Sequence, residues 1–273
     1  MPEGPEMRRA ADKLTRAVTP LVVSEVFFAF DNLKPYAPVF KGRRIDAVET
    51  RGKALLIHFD NDLSIYTHNQ LYGRWMIRQA YRYPVTNRQL RLAIHNENQS
   101  ALLYSASEIE VLTPQQLDEH PFLATLGPDV LAIKPRAVME QLAASKHLRR
   151  RLGSLLLDQR FLAGIGNYLR SEILFVAGLH PRLRPVDCRA DALERLAHAA
   201  VAVSRQSYRH NGITNDLQRA RQLRAQGQPR SRYRHWVFAR GNRPCRVCGA
   251  SIVEDVAAGR RIYFCPACQP ECR

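Results

Sequence analysis

Cys245-Arg246-Val247-Cys248 and Cys265-Pro266-Ala267-Cys268 are two C-x2-C knuckles separated by sixteen residues. Four thiolates at this spacing match the tetrahedral ligand set of one structural zinc ion, and the apolar segments 252–256 and 262–264 supply the two strands of a zinc-ribbon hairpin. Disulfides are the alternative, and an intracellular setting disfavours them. A four-cysteine site has no open coordination position, so the metal shapes the module and performs no chemistry. The hairpin turn, Ala257-Ala258-Gly259-Arg260-Arg261, carries two arginines at its tip. Cys188 and Cys272 stand outside the pattern and receive no role.

N-terminal to the ribbon, residues 204–243 hold ten arginines against one acid, Asp216, with Tyr208, Tyr233, Trp236 and Phe238 interleaved. A solvated charged face mixes signs; a one-signed block fits a phosphate backbone. Its middle, 211–231, is rich in Gly, Gln and Arg without a clear period and reads as a mobile loop that orders on binding. The whole chain repeats the bias: 41 Lys and Arg against 25 Asp and Glu give a net charge of +16, and only six of the 41 are lysines. Arginine suits bidentate phosphate contacts, although a GC-rich genome produces the same excess. No apolar run reaches the 18 or so residues of a membrane span, and carboxylates occupy the N-terminus where a secretory signal carries positive charge. The expectation is a soluble, cytoplasmic protein with a polyanionic partner and no membrane.

Residues 135–144, 148–158, 167–178 and 189–208 are rich in Leu, Ala, Arg and Glu at helical period and read as an all-α domain. Within it lies Gly164-Ile165-Gly166-Asn167-Tyr168. Two glycines permit a tight turn, and Asn167 is a good N-cap for the helix that follows. Such a turn either is an ordinary capped helix hairpin or holds a phosphate on exposed backbone amides. From residue 21 to 112 the texture is β: candidate strands are 22–30, 45–50, 54–59, 63–67, 74–79, 89–95, 101–104 and 108–112, separated by turn signals such as Asp60-Asn61-Asp62. Eight short strands at this spacing suggest an antiparallel sandwich or barrel.

The chain opens Met1-Pro2-Glu3-Gly4-Pro5-Glu6 and continues as a helix over 5–18, with Met7, Ala10, Ala11, Leu14, Ala17 and Val18 on one face. Pro and Glu here are good helix-start residues. They also suit chemistry. Removal of Met1 exposes the secondary amine of Pro2, and an α-amine with an ordinary pKa of about 7.7–8.0 is partly unprotonated near neutral pH. Its attack on an aldehyde-level carbon gives a cationic iminium, an electron sink, with Glu3 beside it as an acid/base partner.

The opening hexapeptide, Thr50-Arg51-Gly52-Lys53-Ala54-Leu55-Leu56, His68-Asn69-Gln70-Leu71-Tyr72-Gly73, Gly164-Ile165-Gly166-Asn167-Tyr168 and the four-cysteine ribbon occur together, in order, across essentially the full chain. This set resembles the formamidopyrimidine-DNA glycosylase family, and Gly4 with Gln70-Leu71-Tyr72 resembles its endonuclease VIII branch. The resemblance implies an α+β multidomain clamp on DNA: a catalytic β-sandwich with an N-terminal helix (1–124), a helical domain with a helix–two-turn–helix (125–235) and a zinc finger (236–273). It implies a bifunctional DNA glycosylase and AP lyase of base excision repair, a monomer acting on double-stranded DNA with an oxidised pyrimidine such as thymine glycol or an abasic site. Strand cleavage by β,δ-elimination through a Pro2 Schiff base leaves 3′- and 5′-phosphates. It needs no organic cofactor and one zinc ion on Cys245, Cys248, Cys265 and Cys268.

By the same resemblance Lys53 contacts a flanking phosphate and helps protonate a departing group, although a lysine beside Gly52 in a hairpin is also an ordinary solvated turn residue. Arg260 clamps phosphates during the second elimination, with Arg261 a rival. Asn167 binds a phosphate, and Gln70, Leu71 and Tyr72 fill the gap left by the flipped base, a role suited to an apolar wedge at a loop tip. After His120-Pro121-Phe122-Leu123 this chain has Ala124-Thr125 where a relative carries a DNA-contacting arginine, so that contact is not expected; the Arg-rich 219–234 stretch is a candidate replacement. Two other readings fit parts of the chain. A zinc-ribbon nucleic-acid-binding regulator leaves Pro2, Glu3 and Lys53 unexplained, and a purine-specific sister glycosylase shares the chemistry and differs in base choice.

Overall fold

All eight expected strands form in the computed structural model, which describes residues 2–19 and 21–271. Met1 and Cys272 lie outside the described residues. One unit is built on Glu6–Thr125 and a second on Glu3–Pro5 together with the chain from Leu126. In the first, β1 (Glu25–Phe28), β2 (Ile45–Arg51), β3 (Ala54–Phe59), β4 (Ser64–His68), β5 (Arg74–Gln79), β6 (Leu90–His95), β7 (Gln99–Tyr104) and β8 (Glu108–Leu112) pair into two antiparallel sheets, ordered β1-β6-β7-β5 and β2-β3-β4-β8. Val26, Phe28, Leu92, Ile94 and Leu103 of one sheet meet Leu55, Ile57, Ile65, Ile109 and Val111 of the other in a single core. Helix α1 (Gly4–Val18) adds Met7, Ala11, Leu14 and Val18, the face its periodicity predicts.

The first strand is shorter than 22–30. After Phe28 the chain turns into a 3₁₀ segment (Asp31–Tyr36) and α2 (Ala37–Phe40), because Pro35 and Pro38 have no N–H to give a ladder and Leu33 and Phe40 find core positions instead. The change of texture near Thr113 is a capping box. Gln116 N–H donates to Thr113 Oγ1 at 3.3 Å and Thr113 N–H donates to the Gln116 side chain at 2.9 Å, which starts α3 (Pro114–Glu119).

The second unit contains α4 (Pro135–Ala143), α5 (Ser145–Leu148), α6 (Leu152–Leu155), α7 (Asn167–Ala177), α8 (Ala190–Arg209), α9 (Leu217–Ala225), α10 (Arg230–Tyr233) and the hairpin β9 (Val253–Ala257)–β10 (Arg260–Phe264). Val138, Leu142, Leu155, Leu169, Ile173, Leu196 and Ala200 make its main core. Two expectations fail here. A helix over 148–158 does not form; only the single turns α5 and α6 do, because Leu152 and Gly153 N–H groups bond Leu183 and Pro181 carbonyls at 2.7 and 2.9 Å instead of continuing a helix. Residues 211–231 are not irregular but carry α9 and α10. Asp216 caps α9 by accepting from Arg219 N–H at 2.7 Å, and Ala220 is the single buried residue in that helix, so its Arg/Gln surface leaves no apolar period to read.

Helix α7 passes through this core with every residue from Tyr168 to Phe175 buried. A buried helix bearing Arg170 and Glu172 must satisfy both charges internally. Glu172 accepts from Trp236, Val237 and Phe238 N–H groups at 2.8, 2.8 and 2.9 Å and from the Thr214 hydroxyl, tying α7 to the segment that leads into the ribbon. Burial pushes its carboxyl up from the ordinary range, and the four donated bonds oppose that. Glu172→Ala leaves three amides, that of Val237 fully buried, and the Thr214 hydroxyl without this acceptor, and a loss of about 3 kcal/mol in unfolding free energy is expected. Denaturant melts of the two proteins check this.

Candidate active site

The turn before α7 holds an anion supplied by the chain itself. Gly166, not Asn167, is the N-cap, with extended backbone (φ −132°), and the first amides of the helix converge on Glu3. Gly166 and Leu169 N–H donate to Glu3 Oε2 at 2.8 and 3.2 Å, and Tyr168 N–H donates to Oε1 at 2.8 Å. Gly4 N–H bonds Gly164 O at 2.8 Å and fixes the approach. A Cβ on Gly166 would stand 2.4 Å from Glu3 Cδ, so the second glycine of the turn makes room for this carboxylate. The amides considered for a phosphate are therefore occupied, and Glu3 lies at the N-terminus of α7 instead of serving the dipole of α1. Pro2, half-buried, precedes it in the chain.

Arg170 ties the next three features together. Its Nη2 donates to Asn167 Oδ1 at 2.9 Å and to the carbonyls of Arg260 and Arg261 at 2.8 and 3.1 Å. Its Nη1 donates to Gly153 and Ala257 carbonyls at 2.8 and 3.0 Å. One guanidinium thus orients the Asn167 side chain and fixes the backbone on both sides of the ribbon's turn. Burial, and then the charge of Arg260, lower it to about 10, which leaves it protonated at neutral pH. The turn, Ala258-Gly259, has both residues at positive φ (53° and 69°), as a two-residue type I′ hairpin requires. Arg261 lies 3.3 Å from Glu254 Oε1, whereas Arg260 is exposed without an ion pair among the described residues.

In the sandwich unit, Gly52 and Lys53 form the two-residue turn between β2 and β3, with Gly52 at φ +62°. Lys53 is only 8 % exposed, so it is not the solvated turn residue that the local pattern allowed. Its charge is felt at His68, whose imidazole is lowered by burial first and by Lys53 in part, against the raising effect of Glu108. Beyond His68, Leu71 and Tyr72 project from the β4–β5 connection at 59 % and 70 % exposure, which excludes the buried-hairpin alternative for this stretch.

The four ribbon sulfurs lie within 4.8 Å of one another. Cys245–Cys268, Cys248–Cys265 and Cys248–Cys268 Sγ separations are 3.9, 3.4 and 3.5 Å, close to the roughly 3.8 Å edge of a tetrahedron with Zn–S bonds of about 2.3 Å and far from a disulfide bond of about 2.05 Å. The donor set therefore fits zinc and not a pair of disulfides. Arg170, Glu172 and Glu108, which accepts from Gln70, are the residues that motif reading missed. The signal for the first two was present: two charges within an otherwise apolar helical stretch, Tyr168 to Ala177.

Three family models match the chain: the formamidopyrimidine-DNA glycosylase N-terminal domain over residues 1–107, its H2TH domain over 126–218, and the zinc finger found in FPG and IleRS over 243–270. The chain is also 45% identical to Endonuclease 8 of Escherichia coli over 271 residues, 98% of this chain and 100% of the relative, and 44% identical over the same span to Endonuclease 8 of Shigella sonnei. The chain belongs to the formamidopyrimidine-DNA glycosylase family. The family's enzymes are DNA glycosylases and AP lyases of base excision repair, and this glycosylase carries their zinc finger. Solved structures agree on the fold. The Lactococcus lactis Fpg in complex with DNA containing an abasic site superposes with a TM-score of 0.80 at 18% identity, covering 98% of this chain and 99% of that one, and MutM in complex with DNA containing carbocyclic 8-oxo-G with a TM-score of 0.81 and 100% of that chain. Among the described residues, no helix is long and apolar enough to cross a membrane.

Gly166→Ala is expected to expel the Glu3 carboxylate, the flexible partner in that clash, while sparing the backbone. Base excision by this glycosylase should fall about a hundredfold, since small displacements of a reacting group are that costly, and the melting temperature should fall as well, because the Gly166, Tyr168 and Leu169 amides lose their buried acceptor. Unchanged excision would mean that the cradle has no part in catalysis.

Proposed function

We propose that this glycosylase removes oxidised pyrimidines, thymine glycol among them, and then cuts the strand by β,δ-elimination through a Schiff base on Pro2, leaving 3′- and 5′-phosphates. The observation that carries the reading is the seating of Glu3 by the amides of Gly166, Tyr168 and Leu169 at the start of α7, which fixes a carboxylate one residue from the amine that Met1 removal exposes. The amine of Pro2 attacks C1′ of a flipped-out nucleotide, and the glycosidic bond pair leaves with the base. Glu3 takes the proton released by the amine and returns it to the ring oxygen as the sugar opens, which leaves the iminium. That cation acidifies the C2′ proton, and loss of the 3′- and then the 5′-phosphate follows.

Lys53 binds a flanking phosphate and protonates the departing base; its burial in a tight hairpin supports a fixed role over a solvated one. Arg260 holds phosphate during the second elimination, Asn167 binds a backbone phosphate, and Gln70, Leu71 and Tyr72 fill the vacated stack. The preference for pyrimidines rests on Gly4 and Gln70-Leu71-Tyr72, the residues that resemble the endonuclease VIII branch. The catalytic part is residues 1–124, the helical DNA-binding part 125–235 and the zinc finger 236–273. The enzyme acts as a monomer on damaged double-stranded DNA in the bacterial cytoplasm.

Borohydride trapping tests this. The Met1-free protein is incubated with a duplex containing one thymine glycol or one abasic site, reduced, and the adduct mapped by mass spectrometry. An adduct at Pro2 that vanishes when one residue is added before it is the expected result. Tight, salt-sensitive DNA binding with no adduct on either duplex would overturn the lyase mechanism and favour a non-catalytic zinc-ribbon binder.

A further inference from the structure

The connection from β4 to β5 is a narrow loop with a built neck and two tethers. Gly73 N–H bonds Asn69 O at 2.8 Å, and a Cβ on Gly73 would stand 2.6 Å from Asn69 Cα, so the two backbones touch where the loop closes. Between them Gln70 has a φ of +44°, a left-handed conformation that residues with a side chain seldom adopt. On one flank Gln70 Nε2 donates to Glu108 Oε2 at 2.9 Å. Glu108 is itself oriented: it pairs with His68 across the β4–β8 ladder, and its other oxygen accepts from the Tyr66 hydroxyl at 3.0 Å. The Tyr66 phenol is fully buried, and burial together with the charge of Glu108 pushes it up, so it remains a donor. On the other flank Arg88 Nη1 donates to Tyr72 O at 2.8 Å. Leu71 and Tyr72, between the tethers, point into solvent.

We propose that Glu108 and Arg88 are positioning residues that hold the Gln70-Leu71-Tyr72 tip in its projecting conformation before DNA arrives, Glu108 through the Gln70 amide and Arg88 through the Tyr72 carbonyl. An apolar tip on a free loop would have to be ordered at the moment it enters the stack, and that ordering opposes insertion. A tip already fixed at both ends avoids this cost, the general advantage of preorganisation in binding. The inference rests on the wedge role proposed above for the tip. It adds that the wedge works because two residues outside it, 16 and 36 positions downstream of Tyr72, set its shape.

The test is single-turnover kinetics on a thymine glycol duplex and on a preformed abasic duplex. Glu108→Ala and Arg88→Ala are expected each to slow excision of thymine glycol about three- to tenfold while changing cleavage of the abasic duplex less than twofold, because no base has to be driven from the stack there. Glu108→Gln, which keeps an acceptor for Gln70, is expected to restore most of the rate. A Leu71→Ala/Tyr72→Ala protein reports on the wedge itself. If it excises thymine glycol at the wild-type rate, the wedge reading fails and the positioning role with it. If it is slow while Glu108→Ala and Arg88→Ala are not, the wedge stands and the positioning role is wrong. Adding Glu108→Ala to a Gln70→Ala/Leu71→Ala/Tyr72→Ala protein should cost nothing further; an additive loss would show that Glu108 acts elsewhere and overturn the proposal.

Discussion

A helix that is buried from its first turn cannot leave its leading amides to water, and the rest of the second unit is arranged around that constraint at α7. The donors at Gly166, Tyr168 and Leu169 find the carboxylate of Glu3, more than 160 positions away in sequence. The helix dipole adds to the attraction, so the bond set is both a cap and an anion site. Because the cap comes from Glu3, residues Glu3–Pro5 belong with the unit that contains α7 and not with the rest of α1.

The same helix distributes its two internal charges to useful ends. Arg170 directs its donors to one side chain, Asn167, and to four carbonyls, three of them flanking the ribbon turn. Glu172 accepts the amides that lead into the ribbon. Four sulfurs gather the knuckles, and Arg170 of α7 separately holds the hairpin that carries Arg260. Removing Arg170 would take a donor from the Asn167 side chain and from four carbonyls.

Much of this was legible in the sequence because the signals were local. Strands 54–59, 74–79 and 108–112 have the boundaries that β-branched runs and turn residues suggest, and the C-x2-C spacing brings four sulfurs together. The losses have equally physical causes. The expected helix at 148–158 is broken by backbone pairing with residues 181–183, a long-range contact that no local pattern records. Helix α9 is hidden in the sequence because a helix with one buried alanine shows no apolar stripe, although its cap, Asp216, is in view. Propensity alone points to Asn167 as the cap of α7; the structure gives that position to Gly166, since any Cβ there would strike Glu3. The residues of the candidate site could be named from motifs, but what Arg170, Glu172 and Glu108 hold could not, because Arg170 reaches Arg261 across 91 positions, Glu172 reaches Phe238 across 66 and Glu108 reaches Gln70 across 38.

In the proposed mechanism Glu3, seated by α7, moves the proton that lets the terminal amine open the sugar. The most direct test is Glu3→Gln, assayed for base release from a thymine glycol duplex and, separately, for the borohydride-trapped imine on a preformed abasic site. Base release is predicted to fall about a hundredfold or more, the scale of a lost general acid/base, while the abasic imine still forms. Base release at the wild-type rate would contradict that mechanism and reduce the Glu3–α7 bonds to a structural cap.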